Sequence, residues 1–557
     1  MRNGVIAKTP VSGQAKKTDT MIKKWLQDIF DKKESIEIKE WRTDNSILKF
    51  LSSNLDENGN LSEKAHDLPD EKKDDEKVRF APGLMDAMFG ADDSDDSKKR
   101  IRELTKHLKR VASKGDKINE QEFYRLITEN EGVIGIIDDF LQVVVNDSLP
   151  IEPYLFNYAK DLTTKTDKRN AVKFGIAILG LCQNKSVLNN IKILGLHDEF
   201  TVYSTIAIAN LSDNAENELW ELAKKVDGWG KIQLVDRLSR PELNEPIKDW
   251  LIYEGYKNSI MYEYLAYTCA INGELHKKLV PDEINHKLFK SASDIIEALI
   301  AIGGPAEDIT TYPFASQVIE DFIRHAKIQA NDISDFNALH KIKDFLTELQ
   351  NDIGEQKENG WTQDIISNCL IEIVEILNSR DWKVAVFEGL KSNDNVMYWN
   401  AKHAAEKLEI DLWETVWAKL QEKPLDSSSW YDVTHYSKPE HSDLIIDFAL
   451  KHLPLDEMAT GPRDSMGFGE NYNKFGSLDY VITFLENYPR KGEQIILTGL
   501  KCPVTRNRNM AIKVLDKWKK ENWSAELERE IRHLGEIEPN NDTKENIKRL
   551  LNGQELK

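Results

Sequence analysis

Apolar residues recur every three or four positions along most of the chain beyond about residue 100. This spacing places apolar side chains on one face of an α-helix. Turns rich in Asn, Asp, Gly and Pro separate the segments, whereas the alternating apolar and polar runs that are typical of strands are rare. The pattern therefore predicts an all-α protein whose helices are joined by short turns.

The helical segments form pairs that recur at intervals of roughly forty residues. In the clearest pair, Gly499 lies near the end of the first helix and Ala511 lies in the second, after a turn at 502–507. Gly389 and Ala401 occupy the same positions in another pair. A further segment matches half of the pattern through Lys168, Ala171 and Phe174. A small residue at a fixed position allows the two helices of a pair to approach closely.

This arrangement resembles the HEAT family of helical repeats, in which a Val-Arg pair followed by alanine opens the second helix. Arg508 and Ala511 match that pattern, although Asn507 takes the place of the valine and Tyr398 replaces the arginine in the other pair. The resemblance implies an α-solenoid of HEAT-like helix pairs. Residues 151–550 have room for roughly nine or ten such pairs.

The segments before this array are predicted to be organised differently. Residues 1–100 are dense in charge and are expected to be mobile and partly disordered, with one or two short helices, including one at 21–30. An apolar segment at 78–93 either folds back on the body or binds a partner. Residues 101–150 are predicted to be a helical connector, and the order of residues 56–100 stays open.

The charge of the chain narrows the choice of partner. The formal net charge is −20, and because residues 1–100 carry 19 Lys or Arg and 21 Asp or Glu, most of the excess lies in the body. An acidic surface repels phosphate backbones and anionic lipids, so nucleic acid is an unfavoured partner. The most apolar runs are too short to span a bilayer, and no leader is evident, so we expect a cytoplasmic protein without membrane contact.

The whole chain is also similar to poorly characterised bacterial helical-repeat proteins, some of which are labelled limonene hydroxylase. The similarity lies in TGPRDSMGFG at 460–469 and CPVTRNRNMA at 502–511. It implies oxygen chemistry, which requires a haem, a flavin or paired iron.

The sequence contains no convincing ligand set for such a cofactor. Cys182 lacks the residues that surround a haem thiolate, and GFGE at 467–470 lacks the third glycine and the preceding strand of a dinucleotide site. Glu-x-x-His pairs, which can bind iron in helical bundles, end at His66, His286 and His533, but the composition predicts roughly as many by chance. We therefore expect no cofactor and no metal.

Three unusual stretches supply candidates for contacts with a partner. The glycine-rich loop at 459–477 contains Arg463 and Asp464, and the segment at 227–238 contains Trp229 and Arg237. In the tyrosine-rich segment at 253–270, Ile260, Tyr264, Tyr267 and Ile271 are expected to form one buried helical face, which leaves Tyr262 and Glu263 for a partner. The candidates are completed by Arg506 and Arg508.

These features favour a helical-repeat scaffold that binds a protein or peptide, preferably a basic one, on an acidic concave surface. An enzyme with an unrecognised pocket, including the hydroxylase implied by resemblance, is the first alternative. A nucleic-acid-binding repeat protein is the second, and its contacts would be Trp229, Arg237, Arg506 and Arg508. The sequence leaves the partner and the oligomeric state open.

Overall fold

The structure is a computed structural model that describes residues 40–71, 95–129, 134–239, 242–467 and 472–557. Within these residues it contains 28 α-helices and no strand, which confirms the all-α prediction. The predicted helix at 21–30 and the apolar segment at 78–93 lie outside the described residues.

The chain divides into two compact units, one of Met1–Asp70 with Asp86–Glu218 and one of Glu71–Met85 with Leu219–Lys557. The second boundary falls inside the array predicted for 151–550. The helices of the first unit are α1 (Ile47–Ser52), α2 (Asp95–Lys114), α3 (Lys117–Thr128), α4 (Ile137–Asn146), α5 (Tyr154–Thr164), α6 (Arg169–Leu179), α7 (Leu188–Gly195) and α8 (Asp198–Leu211). The boundary between the units crosses α9 (Ala215–Ala223).

Residues 40–71 fold onto the helices of the first unit, in contrast to the mobility predicted for residues 1–100. The guanidinium of Arg42 donates hydrogen bonds to Glu120 of α3 at 2.6 Å and to Asp161 of α5 at 2.7 Å. The backbone N–H of Ile47 donates to the carbonyl of Thr166 at 2.9 Å. The charge of Arg42 is thus neutralised by carboxylates of two distant helices.

The second unit continues with helices throughout. These are α10 (Gly228–Leu238), α11 (Glu245–Trp250), α12 (Ala266–Asn272), α13 (Leu275–Lys278), α14 (His286–Leu299), α15 (Ala315–Gln329), α16 (Ile333–Asn351), α17 (Gln363–Asn378), α18 (Lys383–Gly389), α19 (Asn395–Lys407), α20 (Trp413–Glu422), α21 (Ser427–Tyr436), α22 (Ser442–His452), α23 (Leu455–Met458), α24 (Asn473–Phe484), α25 (Glu493–Leu500), α26 (Thr505–Trp518), α27 (Ala525–Ile537) and α28 (Asn541–Leu551).

Many helices that follow one another in this unit pack together, and helices further apart in the sequence also make contact. One set of helices forms a row in which each member contacts the next: α14, α16, α19, α21, α24 and α26. We call this set the helix row. Its core is made of aliphatic side chains such as Ile295, Leu339 and Val433, which are fully or almost fully buried. Burial of these apolar surfaces is the main stabilising contribution to the pairs.

The two glycines identified in the sequence lie where paired helices approach most closely. A Cβ atom on Gly499 would lie 3.0 Å from Cβ of Ala511, and one on Gly389 would lie 2.8 Å from Cβ of Ala401. Since real Cβ atoms rarely approach within 3.4 Å, each contact requires glycine opposite alanine. The same pair of small residues therefore sets the helix spacing in both windows.

The tyrosine-rich segment at 253–270 is not the single helix that its spacing predicted. A π-helical turn covers Leu251–Gly255, a 3₁₀ turn covers Tyr262–Tyr264, and α12 begins only at Ala266. Because the chain leaves the helical conformation between these elements, residues spaced by four do not share one face. The four residues that were expected to be buried are half-exposed, and the buried residues are Gly255, Tyr256, Asn258, Leu265, Ala266, Cys269 and Ala270.

Candidate interaction surface

Charged side chains link neighbouring members of the helix row. In each link, a lysine or arginine on one helix meets a carboxylate on the next. The links are Lys290 with Asp335 at 2.5 Å, Lys341 with Glu297 at 2.6 Å, Lys407 with Asp344 at 2.8 Å, Arg506 with Asp479 at 2.6 Å, and Lys402 with Asp432. Since most of these pairs are half-buried, they fix the lateral register of the row more firmly than exposed pairs would.

A buried polar cluster supports the middle of the row, between α19 and α21. The carboxylate of Asp432 accepts a hydrogen bond from the hydroxyl of Tyr398 at 3.1 Å and also pairs with Lys402. The ammonium group of Lys419 lies 3.2 Å from the centre of the Tyr398 ring, a cation–π contact. Burial lowers the pKa of Lys419, while burial and the charge of Asp432 raise the pKa of Tyr398. The tyrosine thus remains a neutral donor.

Above this cluster, a continuous series of side-chain contacts crosses three helices of the row. The ring centroids of Trp399 and His403 are 4.0 Å apart, and those of Tyr431 and Tyr480 are 5.4 Å apart. Between these two ring pairs, Nδ1 of His403 lies 3.6 Å from the carboxylate of Glu406, which accepts a hydrogen bond from the hydroxyl of Tyr436 at 2.5 Å. The ring centroids of Tyr436 and His435 are 4.7 Å apart, and those of His435 and Tyr431 are 5.6 Å apart. We call these seven residues the aromatic stripe.

The largest rings of the aromatic stripe are open to solvent. Trp399 is 49% exposed, Tyr431 is 45% exposed and Tyr480 is 37% exposed. Folded chains commonly bury such rings, and partly exposed tryptophan and tyrosine are enriched at protein interfaces. The stripe is therefore a candidate surface for binding another molecule.

Sequence reasoning missed the stripe, although a local signal for it exists. An aromatic residue is followed at the next position by Asn or Asp and at the fourth by His in three helices of the row, at 336–340, 399–403 and 431–435. In each helix the aromatic ring contacts its own histidine, at centroid distances of 4.4, 4.0 and 5.6 Å. Phe336 also contacts Trp382, at a centroid distance of 5.4 Å, and is buried, whereas Trp399 and Tyr431 are exposed. Exposure of the motif cannot be read from its spacing.

Arg508 has no exposed surface, so it is removed from the candidates for contacts with a partner or with nucleic acid. Its guanidinium donates to both carboxylate oxygens of Glu538, each at 2.7 Å. It also donates to the carbonyl oxygens of Cys502 at 2.9 Å, Pro503 at 2.9 Å and Arg463 at 2.8 Å. Arg508 holds together the start of α26, the loop before α24 and the residue that follows α27.

The other candidates near this loop are closer to the surface. The side chains of Arg463 and Asp464 are exposed, and Asp464 accepts a hydrogen bond from Asn540 at 3.0 Å. Arg506 is half-buried in its link with Asp479. The loop at 459–477 is described except for residues 468–471. Its exposed part offers one unlinked cation, Arg463, and its role in binding stays a prediction.

The remaining four candidates lie at the start of the second unit. Trp229 packs edge-on against Tyr264 at 5.0 Å, and Arg237 is exposed. Tyr262 packs edge-on against Tyr256 at 5.4 Å, beside Asp294, and Glu263 is half-exposed. Within the described parts of the chain, no hydrogen bond, ion pair or ring contact joins these four residues to Arg463 or Asp464. The candidates therefore lie in two separate parts of the sequence, at 229–263 and at 463–508, and no contact between the two parts joins them in the described residues.

The described residues contain no group of three or more His, Cys, Asp and Glu side chains placed to hold a metal ion. The four cysteines are unpaired and buried. Burial raises the pKa of Cys182 to about 12, as it also does for Cys369 and Cys502. Such thiols are poor nucleophiles at neutral pH.

No helix in the described part of the chain has the length and apolar character needed to cross a membrane. Comparison of the chain with models of protein families, with curated proteins and with solved structures gives no match.

Proposed function

We propose that the protein is a helical-repeat scaffold of the α-solenoid type that binds a segment of another protein along the aromatic stripe. The observation that carries the proposal is the unbroken line of contacts from Trp399 to Tyr480, with both end rings and Tyr431 open to solvent. Large rings fixed by neighbouring side chains lose little conformational entropy when a partner covers them.

The spacing of the stripe favours an extended or helical peptide over a small molecule. It crosses three helices of the row, and packed helices lie about 8–10 Å apart, so its ends are separated by roughly 20 Å. A peptide of six to twelve residues covers such a distance. The buried cluster of Tyr398, Lys402 and Asp432 beneath the stripe keeps α19 and α21 in register, so the surface is rigid before the partner binds.

Binding of an array of random 12-residue peptides to the full-length chain tests the proposal. We expect Trp399→Ala and Tyr431→Ala each to weaken binding of the selected peptides at least tenfold, since buried aromatic residues contribute most to interfaces. Phe387→Ala is the matched control, because Phe387 is 48% exposed on α18, outside the stripe. Equal loss in all three variants, or no loss in the stripe variants, would refute the proposal.

A further inference from the structure

One contact between helices of the row differs in charge from the links described above. Glu406 of α19 accepts its hydrogen bond from the neutral hydroxyl of Tyr436 on α21, at 2.5 Å. In the described part of the chain, Glu406 has no lysine or arginine within ion-pair distance, and its only basic neighbour at that distance is His403, at 3.6 Å. The five other links each join a carboxylate to a cation.

Glu406 also lies within the aromatic stripe and is exposed. Its neighbour His403 is in contact with the indole of Trp399, so the carboxylate and the exposed indole flank one imidazole. The face of an indole attracts cations, and a carboxylate attracts them more strongly. A cation above His403 would therefore interact favourably with both groups.

The surroundings favour a cationic partner as well. Residues 381–500, which include the whole stripe, carry 20 Asp or Glu and 12 Lys or Arg. The lysine nearest to the stripe, Lys402, is already neutralised by Asp432. Negative potential thus remains at Glu406 without a compensating charge nearby on the stripe.

From these observations we infer that the partner inserts an arginine side chain at the stripe, where its guanidinium donates to Glu406 and stacks on Trp399. The inference rests on the proposed function and specifies the partner chemistry. Arginine fits better than lysine because its planar guanidinium donates two parallel hydrogen bonds to a carboxylate while its face packs on an aromatic ring.

Two fluorescent 12-residue peptides test this inference by anisotropy with the full-length chain. One consists of four Gly-Ser-Arg repeats, and the other replaces each arginine with citrulline, which has nearly the same shape but no charge. We expect at least tenfold tighter binding of the arginine peptide. Glu406→Gln should remove most of that preference. Glu414→Gln should preserve it, since Glu414 is an exposed carboxylate on α20 outside the stripe and the variant has the same net charge.

Equal affinity of the wild-type chain for both peptides overturns the inference, as does equal loss of preference in the two glutamine variants. Thermal unfolding is the control: a variant whose unfolding midpoint equals that of the wild type is changed only locally. If Trp399→Ala still abolishes binding of the array peptides while Glu406→Gln has no effect, the proposed function stands and only the arginine site fails. If the stripe variants bind the array peptides normally, the proposed function itself fails.

Discussion

Replacement of Arg508 by alanine is expected to destabilise the second unit strongly. The substitution leaves the carboxylate of Glu538, which is only 4% exposed, without its cation, and it removes one donor from each of three backbone carbonyl groups. Removing one partner of a buried ion pair costs about 3–5 kcal/mol, because the remaining charge stays buried. Because the second unit includes Leu219–Lys557, its unfolding entropy is about 0.7 kcal/mol/K, and the unfolding midpoint should fall by roughly 4–7 °C.

Thermal unfolding followed by far-ultraviolet circular dichroism measures this effect. Arg463→Ala is the control, because it removes an exposed guanidinium from the same region but keeps the carbonyl to which Arg508 donates. We expect its midpoint to stay within about 2 °C of the wild type. Replacing both members of the pair, as in Arg508→Met with Glu538→Leu, should recover much of the loss, since no buried charge remains. A midpoint for Arg508→Ala equal to that of Arg463→Ala would contradict the reasoning.

Three further outcomes follow from packing and burial. Gly499→Ala should lower the free energy of unfolding by about 1–3 kcal/mol in urea titrations, whereas Gly304→Ala, with no atom closer than 3.5 Å to the new Cβ, should not. Burial lowers the pKa of His197 to about 4, although its hydrogen bond to the carbonyl of His66 opposes this shift. As the pH is lowered from 6.5 to 4, only the unfolded chain binds a proton at this imidazole, so the free energy of unfolding falls by up to about 3 kcal/mol. His197→Gln should make the free energy of unfolding less dependent on pH over this range. A colorimetric disulfide reagent should label none of the four buried thiols of the native chain and all of them in denaturant; rapid native labelling would show that they are accessible.

The sequence predicted those features of the fold that depend on neighbouring residues. Helices and turns followed from apolar spacing, and the close contacts of Gly389 and Gly499 followed from small residues repeated at one separation. The prediction of one helix in the tyrosine-rich segment was wrong. The apolar spacing was that of a helix, but the chain between Tyr256 and Tyr262 adopts another conformation. Periodicity reports which residues would share a face if a helix forms, but not whether the helix continues.

Features that depend on distant residues could not be predicted in the same way. Arg508 was predicted to contact a partner, whereas it is buried against Glu538, which follows 30 residues later in the sequence. Residues 40–71 were expected to be mobile because they belong to a segment dense in charge, yet Arg42 pairs with Asp161, 119 residues away. The exposure of the aromatic stripe could not be predicted either, since only the packing of the helices shows that Phe336 is buried and Trp399 is exposed.

The way in which Arg508 holds the loop before α24 makes that loop a suitable place for new sequence. Arg508 and Thr505 bind the carbonyl oxygen of residue 463, and the backbone of Gly461 donates to the carbonyl of Lys501 at 2.8 Å. Every amino acid supplies these backbone groups, so anchoring does not depend on the side chain at position 463. Among the described residues of this loop, Gly461 and Gly467, with φ of 94° and 71°, need to keep their identity for conformational reasons. An epitope tag or a fluorescent label at position 463 would therefore be displayed on the surface without loosening the anchored loop.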